Sequence, residues 1–137
     1  MKSFKTTGLI LFLITSITCI RCTPNQQDYS GTTREIISTG KWSIDYYFSG
    51  QDKTAQYQSI LLTFLENGTV NCEHNNTVYQ GQWSSIKDVN RNDVLELQVN
   101  SQEPTLTELN VNWNVVESTP SSITMRNSDN TLRIRKQ

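Results

Sequence analysis

Few side chains in this chain of 137 residues are equipped for chemistry. His74 is the only imidazole, and the thiols are Cys19, Cys22 and Cys72. A structural zinc site needs Cys and His ligands at set spacings, and a catalytic one commonly uses the paired histidines of His-Glu-x-x-His; one histidine supplies neither. A nucleophilic serine would want a histidine beside it and a Gly-x-Ser-x-Gly turn, which the chain lacks. Carboxylates abound, Glu96 and Glu108 among them, yet Glu96 alternates with Leu95 and Leu97 and falls on the wet side of its strand. No enzymatic activity, metal or cofactor is expected.

The stronger candidates are aromatic. Tyr46, Phe48, Tyr79, Trp83 and Trp113 alternate with polar neighbours and are predicted to face inward. They would either line an apolar pocket for a small molecule or fill the interior. His74 shares a face with Val70 and Cys72 and is either a polar anchor in that pocket or a rim residue.

Strands must hold these rings. After a helical turn around Arg34 to Ser38, apolar residues recur at every second position in short runs separated by turn residues. The runs are 41–49, 58–66, 69–75, 78–85, 93–100, 111–117, 121–127 and 130–136. The spelling "ENG" at 66–68 marks a tight hairpin, since Asn67 and Gly68 tolerate positive φ. "EPTLTEL" at 103–109 reads as a turn or a single helical turn. Eight alternating strands with no crossover helix predict an all-β, antiparallel up-and-down barrel; a two-sheet sandwich satisfies the same periodicity.

Charge excludes one class of partner. The formal net charge is -1, and without Lys2 and Lys5 of the leader the 12 basic residues fall to ten against 13 acidic ones. With no basic stripe, nucleic acid is not an expected partner. The leader itself, "MKSFKTTGLILFLITSITC", has Lys2 and Lys5, then the apolar stretch Leu9 to Ile14, then small polar residues, the three parts of an export signal. Its apolar stretch falls short of the roughly 20 residues that cross a bilayer. "SITC" at 16–19 resembles a lipobox, which makes Cys19 the expected lipid attachment point. Ser16 and Thr18 stand where Leu and Gly or Ala are usual. The expected organisation is a signal peptide at 1–18, a flexible tether at 19–31 and a barrel domain at 32–137. Cys72 reads as a small core residue, with Cys22 left unpaired.

Gly40-Lys41-Trp42, opening the first strand after a helical turn, resembles the Gly-x-Trp signature of lipocalins. The order "GKW", "LTFLENGTV", "GQWSS", "LTELNVNWNVVE" and "SITMRNSDNTLRI" resembles the lipocalin-like domains of small bacterial lipoproteins. The resemblance covers about residues 32–137. It implies that Gly40 and Trp42 are structural, with Trp42 closing one barrel end. It also implies that Arg133 or Arg135 lies across the indole, reaching it from outside the barrel, as a cation–π lid. Asn112 departs from the pattern, which often has an acid before the third tryptophan. In such a protein the sequons "NGT" at 67–69 and "NNT" at 75–77 are hairpin chemistry only.

The expectation is a monomeric protein exported to the cell envelope and lipid-anchored to the outer membrane, binding a small apolar ligand through Tyr46, Phe48, His74, Tyr79, Trp83 and Trp113. The alternative is a protein-interaction or inhibitor module with a solid interior, acting through loops 50–57 and 100–109.

Overall fold

Side chains in a strand alternate between faces, so a chain that buries every second residue must build a sheet with one dry side. Thr69–His74 shows the pattern cleanly, burying Val70, Cys72 and His74 and leaving Thr69, Asn71 and Glu73 partly exposed. The computed structural model describes residues 29–137. The leader, Cys19, Cys22 and most of the expected tether lie outside the described residues.

A helix, α1 (Tyr29–Ile37), precedes β1 (Trp42–Ser49), the two-residue β2 (Gln51–Asp52) and a single helical turn, α2 (Thr54–Tyr57). Then come β3 (Leu61–Phe64), β4 (Thr69–His74), β5 (Thr77–Lys87), β6 (Asp93–Val99), a second helical turn α3 (Pro104–Thr107), β7 (Asn112–Thr119), β8 (Ser122–Asn127) and β9 (Asn130–Lys136). β2 is only the return arm of a hairpin on the end of β1. The other eight strands run up and down in sequence order, and β9 pairs back on β1 from Trp42↔Lys136 to Phe48↔Thr131. That last pairing makes the sheet a closed barrel and excludes the sandwich.

The turns carry the backbone chemistry predicted for them. Gly68 has φ +86°, and Asn67 Oδ1 accepts the Thr69 N–H at 2.9 Å. Asn75 and Asn76, between β4 and β5, both adopt positive φ, the requirement of a two-residue hairpin that matches strand twist. Gly40, at φ +82°, turns the chain from α1 into β1. Gly81 has a different need: a Cβ there would lie 2.0 Å from the Gln98 carbonyl oxygen, so β5 and β6 cross too closely for any side chain.

Trp42 is fully buried at the α1 end and donates its indole N–H to the Ile37 carbonyl at 2.9 Å. The cation over its ring is Lys136, 6.0 Å from the centroid, and not Arg133 or Arg135. Both arginines point outward and bind Asp45, Arg133 Nε at 2.8 Å and Arg135 Nη2 at 3.0 Å.

A β-bulge explains this and a second correction. The pairing of β1 with β9 shifts between Ile44 and Tyr46, which leaves Asp45 as an extra residue. Asp45 and Tyr46 therefore both sit outside, and Tyr47 takes the inward position at 1% exposure. Tyr46 and Phe48, expected inward, lie on the outer side, where the Arg133 guanidinium stands 5.7 Å from the Tyr46 ring.

Trp42→Ala is expected to cost about 3–5 kcal/mol, the range for truncating a buried aromatic. Urea unfolding measures it, and a loss below about 1 kcal/mol would contradict the plug. Gly81→Ala, by forcing the β5 and β6 backbones apart, is expected to lower stability by about 1–3 kcal/mol in the same assay.

Candidate functional site

The barrel end opposite α1 concentrates the polar side chains that make specific contacts. Loop 50–57 and loop 100–109 fold over it. Asp52 Oδ1 accepts the Thr54 N–H at 2.9 Å, and Thr54 Oγ1 accepts the Tyr47 N–H at 3.0 Å, so α2 lies against the edge of β1 where β3 has diverged. This places Tyr57 inside, its ring centroid 4.2 Å from that of Tyr47. Tyr47 in turn meets Trp113 edge-on at 6.3 Å.

From the other side α3 begins at Pro104, whose missing N–H costs nothing at a helix start. It inserts Leu106, and Leu109 follows; both are fully buried. Trp113 donates its indole N–H to the Leu109 carbonyl at 3.0 Å. Asn110 copies a strand, accepting from the Val99 N–H at 2.6 Å and donating to the Val99 carbonyl at 2.9 Å, which closes the base of the loop.

Two carboxylates flanking α3 fasten it. Glu103 accepts the Tyr79 hydroxyl proton and lies 2.7 Å from His74 Nδ1. Glu108 accepts from the Tyr57 hydroxyl at 2.7 Å and pairs with Lys53 Nζ at 3.1 Å. Each clasp thus joins one glutamate, one tyrosine and one basic side chain. The Tyr79 and His74 hydrogen bonds hold the Glu103 carboxyl below the ordinary 4.5, and the Tyr57 hydroxyl followed by Lys53 does the same for Glu108 against the opposing effect of burial. Burial first, then its bond to Glu108, raises the Tyr57 phenol.

The predicted site residues scatter accordingly. His74 and Tyr79 come together on Glu103. Trp113 sits in the core beneath Tyr47. Trp83 is at the α1 end, donating to the Leu65 carbonyl at 2.9 Å, edge-on to Phe64, with the Arg34 guanidinium 5.0 Å above its ring. Tyr46 and Phe48 are outside. Sequence reasoning missed Tyr47, Lys53, Tyr57 and Glu103; the only available signal was that 50–57 and 100–109 are the longest stretches without clear alternation.

Burial pushes the Cys72 thiol up to about 12, so it stays protonated near neutrality. Among the described residues no group of three or more His, Cys, Asp or Glu is placed to hold a metal ion. Elsewhere, an open groove of about 250 Å³ runs along the outer face of β5 and β6 past Gln82, Ser84, Glu96 and Gln98, with Ser84 donating to Glu96 at 2.7 Å.

Comparison with known proteins bears on the fold. No family model matches the chain, and no curated protein matches it. Among solved structures, a DUF4847 family protein from Bacteroides vulgatus superposes with a TM-score of 0.56 at 13% identity, over 76% of this chain and 96% of that one. An uncharacterized protein from Bacteroides eggerthii gives 0.57 at 16% identity, over 73% and 99%. A lipocalin-like protein from Bacteroides uniformis gives 0.52 at 16% identity, over 74% and 99%. The domain has the lipocalin-like barrel fold.

Because both glutamate carboxyls are depressed in the folded protein, the clasps stabilise α3 above pH 4.5 and lose that contribution as the pH falls below it. Protection factors in 100–109, taken relative to the intrinsic exchange rate at each pH, are expected to fall selectively on acidification, and to fall at neutral pH in Glu108→Gln with Tyr57→Phe. Unchanged protection in that loop would show the clasps to be idle.

Proposed function

We propose that this protein is exported, carries lipid on Cys19, and works at the outer membrane of the cell envelope as a binding protein whose recognition surface is the α2/α3 end. One observation carries the reading. Trp42, Phe64, Val70, Cys72, Leu106, Leu109, Trp113, Ile123, Leu132 and Ile134 are all 0% exposed. A chamber able to admit even water would leave accessible surface on its lining. That supports an interior occupied by the protein's own side chains, with a partner meeting loops 50–57 and 100–109 from outside. The engagement of the only imidazole by Glu103 and the high thiol pKa of Cys72 support binding over catalysis.

A second reading, carriage of a small apolar molecule, is favoured by what covers Tyr47 and Trp113. That cover is Tyr57, Leu106 and Leu109, borne on single-turn helices and their flanks and fastened by Glu103 and Glu108. A ligand taking their place would gain roughly 25 cal/mol for each Å² of apolar surface removed from water. The lipocalin-like fold is consistent with such a site.

Native mass spectrometry of the detergent-extracted protein, beside its denatured mass, separates these readings. A diacylglycerol-sized adduct that survives denaturation is expected, with no further mass lost. A bare polypeptide would overturn the anchor, and a mass released on denaturation would replace the packed module by a carrier. Cys19→Ser is expected to move the protein into the soluble fraction.

A further inference from the structure

We propose that the α1 end of the barrel docks on the bilayer to which the chain is tethered, with the β5–β6 hairpin tip as its leading contact. The inference rests on the lipid-anchor reading and adds an orientation to it.

Exposed apolar side chains are ordinary when scattered, and informative when they gather. Among the described residues the large ones are Leu65, Val78, Ile86, Val89 and Val116; Leu65 and Val89 lie in the turns of the α1 end, Ile86 just before the β5–β6 turn and Val116 in the middle of β7. Val89, at the tip of the β5–β6 hairpin, is 98% exposed. Ile86 is 44% and Val116 57% exposed; between them Val94 pairs with Ile86 across one ladder and with Asn114 of β7 across the other. Leu65 opens the β3–β4 turn, next to the Glu66 carbonyl that Arg34 of α1 binds at 2.9 Å.

The hairpin is built to present its tip. Asp88 Oδ1 accepts the N–H groups of Asn90 and Asn92, both at 2.8 Å, and Lys87 pairs with Asp93 at 3.0 Å. These bonds give each carboxylate of the loop a partner within the hairpin. Arg91 beside Val89 makes no ion pair among the described residues, which suits it to lipid phosphate while the valine enters the interface.

The length and departure point of the remaining chain name the occupant. Thr33 of α1 donates to Asp93 at 2.8 Å, so the helix that leads back toward Cys19 lies across the base of this hairpin. From Cys19 to Tyr29 the chain reaches at most about 35 Å even when fully extended. A lipid on Cys19 therefore holds the α1 end within about 35 Å of the bilayer, close enough for the apolar side chains at that end to meet it.

The test supplies its own lipid. The chain from Cys19 onward keeps every described residue; with Cys22→Ser it is coupled through Cys19 to a maleimide phospholipid in phosphatidylcholine nanodiscs containing a spin-labelled lipid. Cys72 is buried and does not compete for the maleimide. Amide signals at 65–67, 86–91 and 116 are expected to be attenuated, and those at 50–57 and 75–78 retained. Ile86→Ser with Val89→Asp is expected to abolish most of that attenuation. Attenuation unchanged in the double variant would reflect tethering alone and overturn docking, as would attenuation centred on the α2/α3 end. Natural lipidation is read separately by mass, so either proposal fails without the other.

Discussion

An eight-stranded barrel is just wide enough to be filled by its own side chains or to hold one small ligand, and the tryptophans are the largest bodies this chain places there. Each indole brings a large apolar body and one N–H that cannot be buried unpaired without a cost of about 1–3 kcal/mol. All three find a backbone carbonyl, and each carbonyl belongs to a covering element rather than to the barrel wall. Trp42 reaches Ile37 at the end of α1, Trp83 reaches Leu65 in the β3–β4 turn, and Trp113 reaches Leu109 just after α3. One residue type thus fills the interior and ties down its lids. The two Gly-x-Trp elements serve the same end: Gly40 turns the chain sharply before Trp42, and Gly81 lets β6 cross close to β5 just before Trp83.

The outer layer is organised by the single defect in β1. By admitting an extra residue, the bulge turns Asp45 to the surface between Arg133 and Arg135 and sends Tyr47 inward in place of Tyr46. These ion pairs are largely solvent-exposed and contribute little stability individually. Their effect is on register: slipping β9 by one residue would point Leu132 and Ile134 at water and the arginines into the core.

How much of this was legible depends on the range of the interaction. The strands and most hairpins were legible, because local alternation and turn chemistry specify them. The bulge was not, because "DYYF" alternates equally well in either register and only the partner strand decides which tyrosine enters. Nor were the clasps. Tyr57 and Glu108 are 51 residues apart and Tyr79 and Glu103 are 24, in segments whose spacing carries no period. Arg34 over Trp83 was missed for a similar reason: an arginine–tryptophan pair was expected, but at Trp42, and the topology supplied a different cation to each ring.

The two ends of the barrel differ in the kind of bond that closes them, and on the proposed binding role that difference governs where the molecule would respond to a partner. At the α1 end a nine-residue helix buries Ile37 against Trp42, so opening it would expose core surface. At the other end the covers are single helical turns, too short to persist without tertiary support. Their fastenings, Glu103 and Glu108, have side chains 36% and 39% exposed, where water competes for every bond. Local opening is drawn from regions whose hydrogen bonds are solvent-reachable, although here it would also uncover Leu106 and Leu109. The same end carries Lys53, His74 and both carboxylates, groups able to exchange an internal partner for an external one. A binder that recognises its target there can trade clasp bonds for intermolecular ones while the indole-stapled barrel beneath stays fixed.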